Sequence, residues 1–359
     1  VLASLIVTQP SRLPKLLEYY RTFTKVFLIC IPLVFIIFRY FRAVLPQWPG
    51  VGTPILQVKE GDVLVHLAGI LAFWMADPKR SVRWGWAFLL TLDMAMMGVI
   101  DRAGLVAFGG VMIICMLAKP FHGAAWRTIA MLCCGAMMLF VSQINIEVPG
   151  GKGRNISWEQ FVDSGKSIFG QGGSSGDESN KEWRLNWWRT IIGYTFDGPY
   201  FWTGKGFGVN LADEDGFQVN ADKSLRSPHS VHMTILARMG VPGLACWAVM
   251  HFVWLFSIGE TYLRSRRRGQ ERWAGVMLFL FAYYIAFMIN GSFDVFIEGP
   301  MGGIWFWSIY GTGVGALWCW RYCPEILADE PDMHPPMQGE TIQLPRLTRP
   351  LAAHAGLNH

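Results

Sequence analysis

Eight apolar runs, at 26–45, 63–76, 84–100, 103–118, 128–146, 229–257, 273–291 and 303–320, dominate this chain of 359 residues. A helix crosses the hydrocarbon core of a bilayer with about 20 apolar residues, and most of the runs approach or exceed that length. Lipid supplies no water to satisfy a backbone, so only helices and closed barrels span it. The runs are continuous rather than alternating, which selects helices. Composition agrees: 52% of residues are hydrophobic and 16% charged, against about a quarter charged in a soluble domain. The expected fold is an all-α polytopic membrane protein with about eight transmembrane helices in this chain and a mostly helical exported loop. The second run is short and is expected to be tilted or partly re-entrant. The chain begins at Val1, without an initiator Met or the pattern of a signal peptide. Further N-terminal helices are therefore expected to be missing from it.

Orientation follows from the basic residues, because Lys and Arg gather in cytoplasmic connections. Arg12, Lys15, Arg21 and Lys25 precede the first run, and Lys79, Arg80 and Arg83 follow the second. Lys119 and Arg127 follow the fourth, Arg264, Arg266, Arg267, Arg268 and Arg272 the sixth, and Arg321 the eighth. Every second connection is basic and is expected in the cytoplasm. Arg39 and Arg42, at the far end of the first run, go against the pattern. The 82-residue segment 147–228 then faces the other side, together with Asp101-Arg102 and the connection 292–302. That segment holds nine Lys/Arg and eleven Asp/Glu, so no cationic excess retains it inside.

Four parts result: N-terminal transmembrane helices (1–146), an exported loop with short helices (147–228), C-terminal transmembrane helices (229–320) and a polar, Pro-rich tail (321–359), expected to be a disordered cytoplasmic end. The net charge of +5 comes from the cytoplasmic collars and the tail, and gives no reason to invoke nucleic acid. The seven cysteines, at 30, 115, 133, 134, 246, 319 and 323, fall almost entirely in apolar runs, and none lies in the exported loop. They form neither a disulfide framework nor a zinc spacing.

Inside the loop, Ser157-Trp-Glu-Gln160 and Ser179-Asn-Lys-Glu182 are capping boxes that predict two helices, the second running to about Phe196. The stretch 170–176, rich in Gly and Ser, reads as a flexible break between them. On the second helix Arg184, Trp188 and Ile191 share a face. Trp183, Trp187, Trp188 and Ile192 are expected to pack it onto the membrane domain or into the interface.

The residue types able to carry chemistry collect on the exported side. Ser227 reads as an N-cap and Pro228 as a first-turn residue, which places His229 in the first turn of the sixth span. The free N–H groups of a helix start suit an anion, and a neutral imidazole there accepts a proton from an attacking hydroxyl. The plainer reading is an interfacial His that caps its neighbours. His232, one turn deeper, makes with His229 a pair that lacks a third ligand, so no metal is expected. Arg102 and Arg184 are external guanidinium groups, permanently charged and shaped for oxyanions; the plain alternatives are an Asp101–Arg102 pair at a helix turn and a solvated Arg184. Gly204-Lys-Gly-Phe-Gly208 lacks the context of a nucleotide-binding fingerprint. It reads first as a tight turn, with phosphate contact from Lys205 and Gly206 as the functional alternative. Asp294 and Glu298, after the seventh span, either orient the histidine and the arginines or form a solvated turn.

In this order and spacing the motifs resemble the O-antigen ligase / O-antigen polymerase superfamily. They comprise an Arg-containing span start (Ile100-Asp-Arg102), an Arg near a Trp (Arg184), Pro199 followed by Gly204-x-Gly-x-Gly208, and His229-Ser230 opening a span. The resemblance covers about 100–310. Ser230 stands where Asn is usual, and Asp101 where Ser or a small residue is usual. The resemblance implies a GT-C-type glycosyltransferase of the bacterial inner membrane, multi-pass, its active site facing the periplasm. It implies an undecaprenyl-diphosphate-linked glycan as donor and a glycan or lipid A–core as acceptor, with no metal and no cofactor. On that basis His229, Arg184 and Arg102 are the candidate catalytic residues. Lys205, Gly206, His232 and Asp294 are the candidate substrate contacts. A polymerase of O-antigen, capsule or exopolysaccharide shares these motifs with a ligase. A lipid-linked glycan transporter would instead need charges deep in its spans and helix breaks at midplane. Here Asp93 is the main acid inside a span, while the other charges gather at one face. A purely structural membrane subunit would leave the loop motifs without a role.

Overall fold

A computed structural model of the chain describes residues 1–49, 54–77, 82–119, 122–142, 145–147, 155–159, 162, 175–294 and 297–328. Its elements are α1 (Leu2–Thr8), α2 (Arg12–Tyr40), α3 (Glu60–Ala76), α4 (Trp84–Gly98), α5 (Arg102–Ala118), α6 (Gly123–Ser142), β1 (Ile146–Glu147), β2 (Asn155–Ile156), α7 (Ser175–Ile192), α8 (Val231–Arg267), α9 (Glu271–Gly291) and α10 (Pro300–Tyr322). The two strands form a two-residue antiparallel pairing in an otherwise helical molecule. Among the described residues α2, α6, α8 and α9 are long and apolar enough to cross a membrane, and α5 is a shorter apolar helix. The remaining runs read from the sequence correspond to α3, α4 and α10. The helix expected after Ser157 and the break at 170–176 lie largely outside the described residues. Of that break only 175 and 176 are described, as the opening of α7.

The core is built around α3 and α9. Nearly every residue of α3 is buried, on all faces, which is why its sequence shows an unbroken apolar run rather than a stripe. Trp273, Tyr283, Tyr284 and Phe287 of α9 are buried as deeply. Glycines let these two antiparallel helices approach closely. A Cβ on Gly69 would lie 2.5 Å from the Tyr283 ring, and one on Gly275 would overlap the Ala76 carbonyl. Without a hydrophobic drive between helices in lipid, such close packing and interhelical hydrogen bonds hold a bundle together. The bonds are present too: His66 Nδ1 meets the Tyr283 hydroxyl at 2.5 Å, and the Tyr284 hydroxyl meets His251 of α8. Two consecutive tyrosines thus tie α9 to both neighbours.

Helix ends sort into two sets. At one end Arg21 of α2 faces Asp77 after α3 at 3.7 Å, and Arg266 of α8 donates to the Ala118 carbonyl of α5. At the other end Arg39 of α2 pairs with Glu60 of α3, and Lys59 pairs with Asp294 after α9. The Arg39–Glu60 pair accounts for the arginine that went against the charge pattern, and the Arg42 guanidinium lies over the Phe38 ring. The chain remains ordered past α10, through a 3-10 turn at Pro324–Leu327 that buries Leu327 and accepts the Trp273 indole N–H at the Pro324 carbonyl. Of the segment 321–359 the structure describes residues up to 328; residues 329–359 lie outside the described residues.

Gly69→Val tests the α3–α9 contact. A branched side chain there displaces the Tyr283 ring, and overpacking of this kind costs about 1–3 kcal/mol. The expected outcome is a lower thermal unfolding midpoint in detergent, followed by Trp fluorescence. An unchanged midpoint would contradict the close approach.

Candidate active site

The end of the bundle that carries Glu60 and Asp294 also carries the start of α8, and that start is built differently from the sequence expectation. Helix α8 begins at Val231, and its N-cap is Ser230, whose hydroxyl accepts from Met233 N. Ser227 and Pro228 stay outside the helix. The reason is a contact from another helix: Pro228 turns its carbonyl to the Trp188 indole N–H at 2.8 Å, so it does not open the helix. His229 is left just before the cap, with φ of 52°. A non-glycine residue in the left-handed region costs free energy and persists where its surroundings enforce it. Trp183 presents its ring edge-on to the imidazole, centroids 6.1 Å apart. Asp294 Oδ1 lies 3.8 Å from His229 Nδ1.

Arg184 reaches the same place from α7. Its guanidinium donates to the Phe293 carbonyl at 3.1 Å. Burial pulls its pKa down from the usual arginine value, and the charges of Asp294 and Asp101 oppose that pull. Asp101 caps α5, accepting from Gly104 N at 2.7 Å, and Arg102 is the first residue of that helix. The structure therefore gathers His229, Asp294, Arg184 and the Asp101-Arg102 helix start at one mouth. Glu298 sits instead against Thr234 and Arg238.

A residue without a sequence argument joins them. Lys59, preceding α3, pairs with Asp294 Oδ2 at 2.6 Å and with Asp62 Oδ1 at 3.5 Å. Burial lowers its pKa, but Asp62 and Asp294 outweigh burial and hold the ammonium above the ordinary lysine value. Asn290, the penultimate residue of α9, is fully buried nearby, its carboxamide oxygen 3.0 Å from where a Gly61 Cβ would stand. A sequence signal existed: Lys59-Glu-Gly-Asp62 is a charged cluster just before an apolar run.

Three predicted substrate contacts have structural places. Helix α8 breaks at Gly240, where φ is 66°. The break frees carbonyls, and the glycine turn takes them up: Lys205 N donates to Ala237 O at 2.8 Å and Gly206 N to Arg238 O at 3.0 Å. In return Val241 N donates to Phe201 O at 2.8 Å. Lys205 Nζ pairs with Asp215 Oδ1 at 2.6 Å and lies over the Tyr194 ring. Asp215 also accepts the Trp187 indole N–H at 2.7 Å. Arg238, buried in α8, donates to the carbonyls of Gly206, Val209 and Arg226. His232 has both ring nitrogens engaged. Trp247, which can only donate, gives its N–H to Nδ1 at 3.2 Å, and Nε2 meets Ser292 Oγ at 3.1 Å.

This apparatus forms a second small core in which Trp187, Ile191, Leu211, Ala212, Leu236 and Ala237 are buried. Trp187 stacks on Phe217 at 5.3 Å. Ile191 is buried in this core, while Ile192 one position on is 41% exposed.

Among the described residues no group of three or more His, Cys, Asp or Glu is placed to hold a metal ion. Residues 85–248 match the family model described as O-antigen ligase. The match supports the O-antigen ligase / polymerase superfamily already indicated by the motifs. It spans Arg102, Arg184, the glycine turn and His229, and stops short of Asp294. No curated protein matches the chain.

Gly240→Ala tests the coupling of the break to the loop. The new methyl would overlap the Phe201 carbonyl in a conformation that L-residues rarely adopt. The loop at 198–228 should become cleavable by trypsin, at Lys223 or Arg226, well before the bundle unfolds. A proteolysis pattern identical to wild type would reject this account of the break.

Proposed function

We propose that the chain is a periplasm-facing glycosyltransferase of the O-antigen ligase type, taking its donor glycan from undecaprenyl diphosphate. The observation that carries the reading is His229, held at positive φ within 3.8 Å of Asp294, on the mouth that Arg184 also enters. An imidazole so constrained is oriented before substrate arrives, as a general base must be.

In this reading the acceptor hydroxyl gives its proton to His229 while its oxygen bonds to C1 of the donor sugar. The C1–O bond to the diphosphate breaks, and its electron pair stays on the diphosphate oxygen. Arg184 and Arg102 receive the charge that develops there. Attack from the face opposite the leaving group inverts the anomeric centre. Lys205, Gly206 and His232 support the scaffold rather than the substrate.

The bundle is read as crossing the membrane eight times, with 147–228 in the periplasm and the Arg264–Arg272 collar in the cytoplasm. The two sets of helix ends support this arrangement, since the sequentially alternating termini of α2, α3, α5, α8 and α9 fall in opposite sets. Asn220→Cys and Arg267→Cys, each in a cysteine-free background, test it in spheroplasts with an impermeant thiol reagent. Only Asn220→Cys should be labelled. Labelling of Arg267→Cys alone would reverse the orientation.

The chemistry is tested on purified variants in detergent with EDTA present, following donor turnover. His229→Ala should lose roughly 10²–10⁴-fold, the usual contribution of a general base. Arg184→Ala and Arg102→Lys should each lose at least ~10-fold, about 1.4 kcal/mol of transition-state stabilisation. His232→Ala, which breaks a tie between α8 and α9, should lower stability more than turnover. An active His229→Ala, or a wild type silenced by EDTA, would reject the mechanism.

A further inference from the structure

We propose that Lys59 is a positioning residue for this reaction: it anchors Asp294, which in turn holds the His229 imidazole in place. The inference rests on the reading of His229 as the base.

The geometry joins Lys59 and His229 through the two oxygens of one carboxylate. Lys59 Nζ approaches Asp294 Oδ2 at 2.6 Å, and the other oxygen of the same carboxylate, Oδ1, lies 3.8 Å from His229 Nδ1. The carboxylate is thus held between the two groups, one on each oxygen. Asp294 lies in the turn after α9, and a turn residue has more freedom than a helical one. Lys59 comes from the other side of the mouth, immediately before α3, the most deeply buried helix of the bundle. Its ammonium therefore ties the turn to the rigid core. Asp62, one turn into α3, lies 3.5 Å from the same ammonium and restrains it from the helix side.

Charge balance gives the second argument. Asp62, Asp101 and Asp294 all reach this mouth. With Arg184 and Arg102 alone, three carboxylates would oppose a diphosphate. Lys59 pairs with two of them, Asp294 at 2.6 Å and Asp62 at 3.5 Å, and its single positive charge offsets one of the three negative charges that would otherwise act on the arginines. Like charges near one another are costly in a partly desolvated site, so the cation and the acids belong to one unit. A lysine suits this post because it is a point charge with three donors, able to serve two carboxylates at once, whereas the planar arginine fork suits the phosphate.

The test is steady-state donor turnover by Lys59→Met, Lys59→Arg, Asp294→Asn and His229→Ala. Purified protein is used in detergent with the native undecaprenyl-diphosphate-linked glycan, and binding of undecaprenyl diphosphate itself is measured separately. Lys59→Met should lose about 10²-fold in kcat, the cost of displacing a reacting group by about an ångström. KM and undecaprenyl diphosphate binding should change much less than kcat. Lys59→Arg, which keeps the cation, should recover most of the loss. Asp294→Asn should reproduce the Lys59→Met phenotype, and it carries the test alone if Lys59→Met fails to fold.

Wild-type kcat in Lys59→Met or in Asp294→Asn, while His229→Ala is inactive, overturns the positioning role and leaves the base intact. No recovery by Lys59→Arg overturns it as well. Full activity of His229→Ala overturns both.

Discussion

The break in α8 at Gly240 is the constraint on which the site depends. A helix that crosses a bilayer must satisfy every backbone group within the protein, and an interruption leaves carbonyls and N–H groups exposed. Here the glycine turn of the 198–228 segment supplies the missing partners. The turn can come that close only because Gly204 and Gly240 carry no side chain where their backbones meet Arg238 and Phe201. The docked segment then builds its own small core, and that core fixes α7. Helix α7 brings Trp183, Arg184 and Trp188 to the mouth. One backbone defect in a long helix thereby seats three side chains of the candidate site on a different element.

The gross architecture was legible because a bilayer imposes length and apolarity on every helix that crosses it. Helices α2 to α6 and α8 to α10 each overlap a run read from the sequence, although α2 starts well before its run and α8 extends well past its own, both through basic segments that apolarity alone does not mark as helix. Motif order and placement on one face singled out Arg184, Arg102 and His229 as candidates; that Arg184 and His229 both lie near Asp294 is a feature of the fold. The conformation of His229 was not legible. Ser227-Pro228 has the chemistry of a helix start, and so does Ser230; the choice is made by the Trp188 indole taking the Pro228 carbonyl, a contact across 40 residues. The partner of Lys205 was equally hidden, since nothing in the glycine turn itself points to the ion pair with Asp215. Lys59 required knowing that the starts of α3 and α8 and the end of α9 coincide in space. Local periodicity carries no information about that.

The electrostatics of the mouth are nearly balanced by design of the fold rather than by local sequence. Acids come from α3, from the cap of α5 and from the turn after α9, and cations come from Lys59, α5 and α7. No two of the partners in the Lys59–Asp294–His229 relay are neighbours in sequence.

The tryptophans of α7 have a consequence for how substrates cooperate. Trp188 holds the backbone one residue before His229, Trp183 packs against the imidazole, and Arg184 lies between them within two turns of the same helix. In the proposed mechanism a diphosphate drawn onto Arg184 would pull on the same helix that packs against His229, so occupancy on the leaving-group side and readiness on the nucleophile side would be one mechanical coordinate. Linkage would then require that each substrate strengthen the other's hold by an equal free energy, and the same helix would disfavour attack by water without a seated donor.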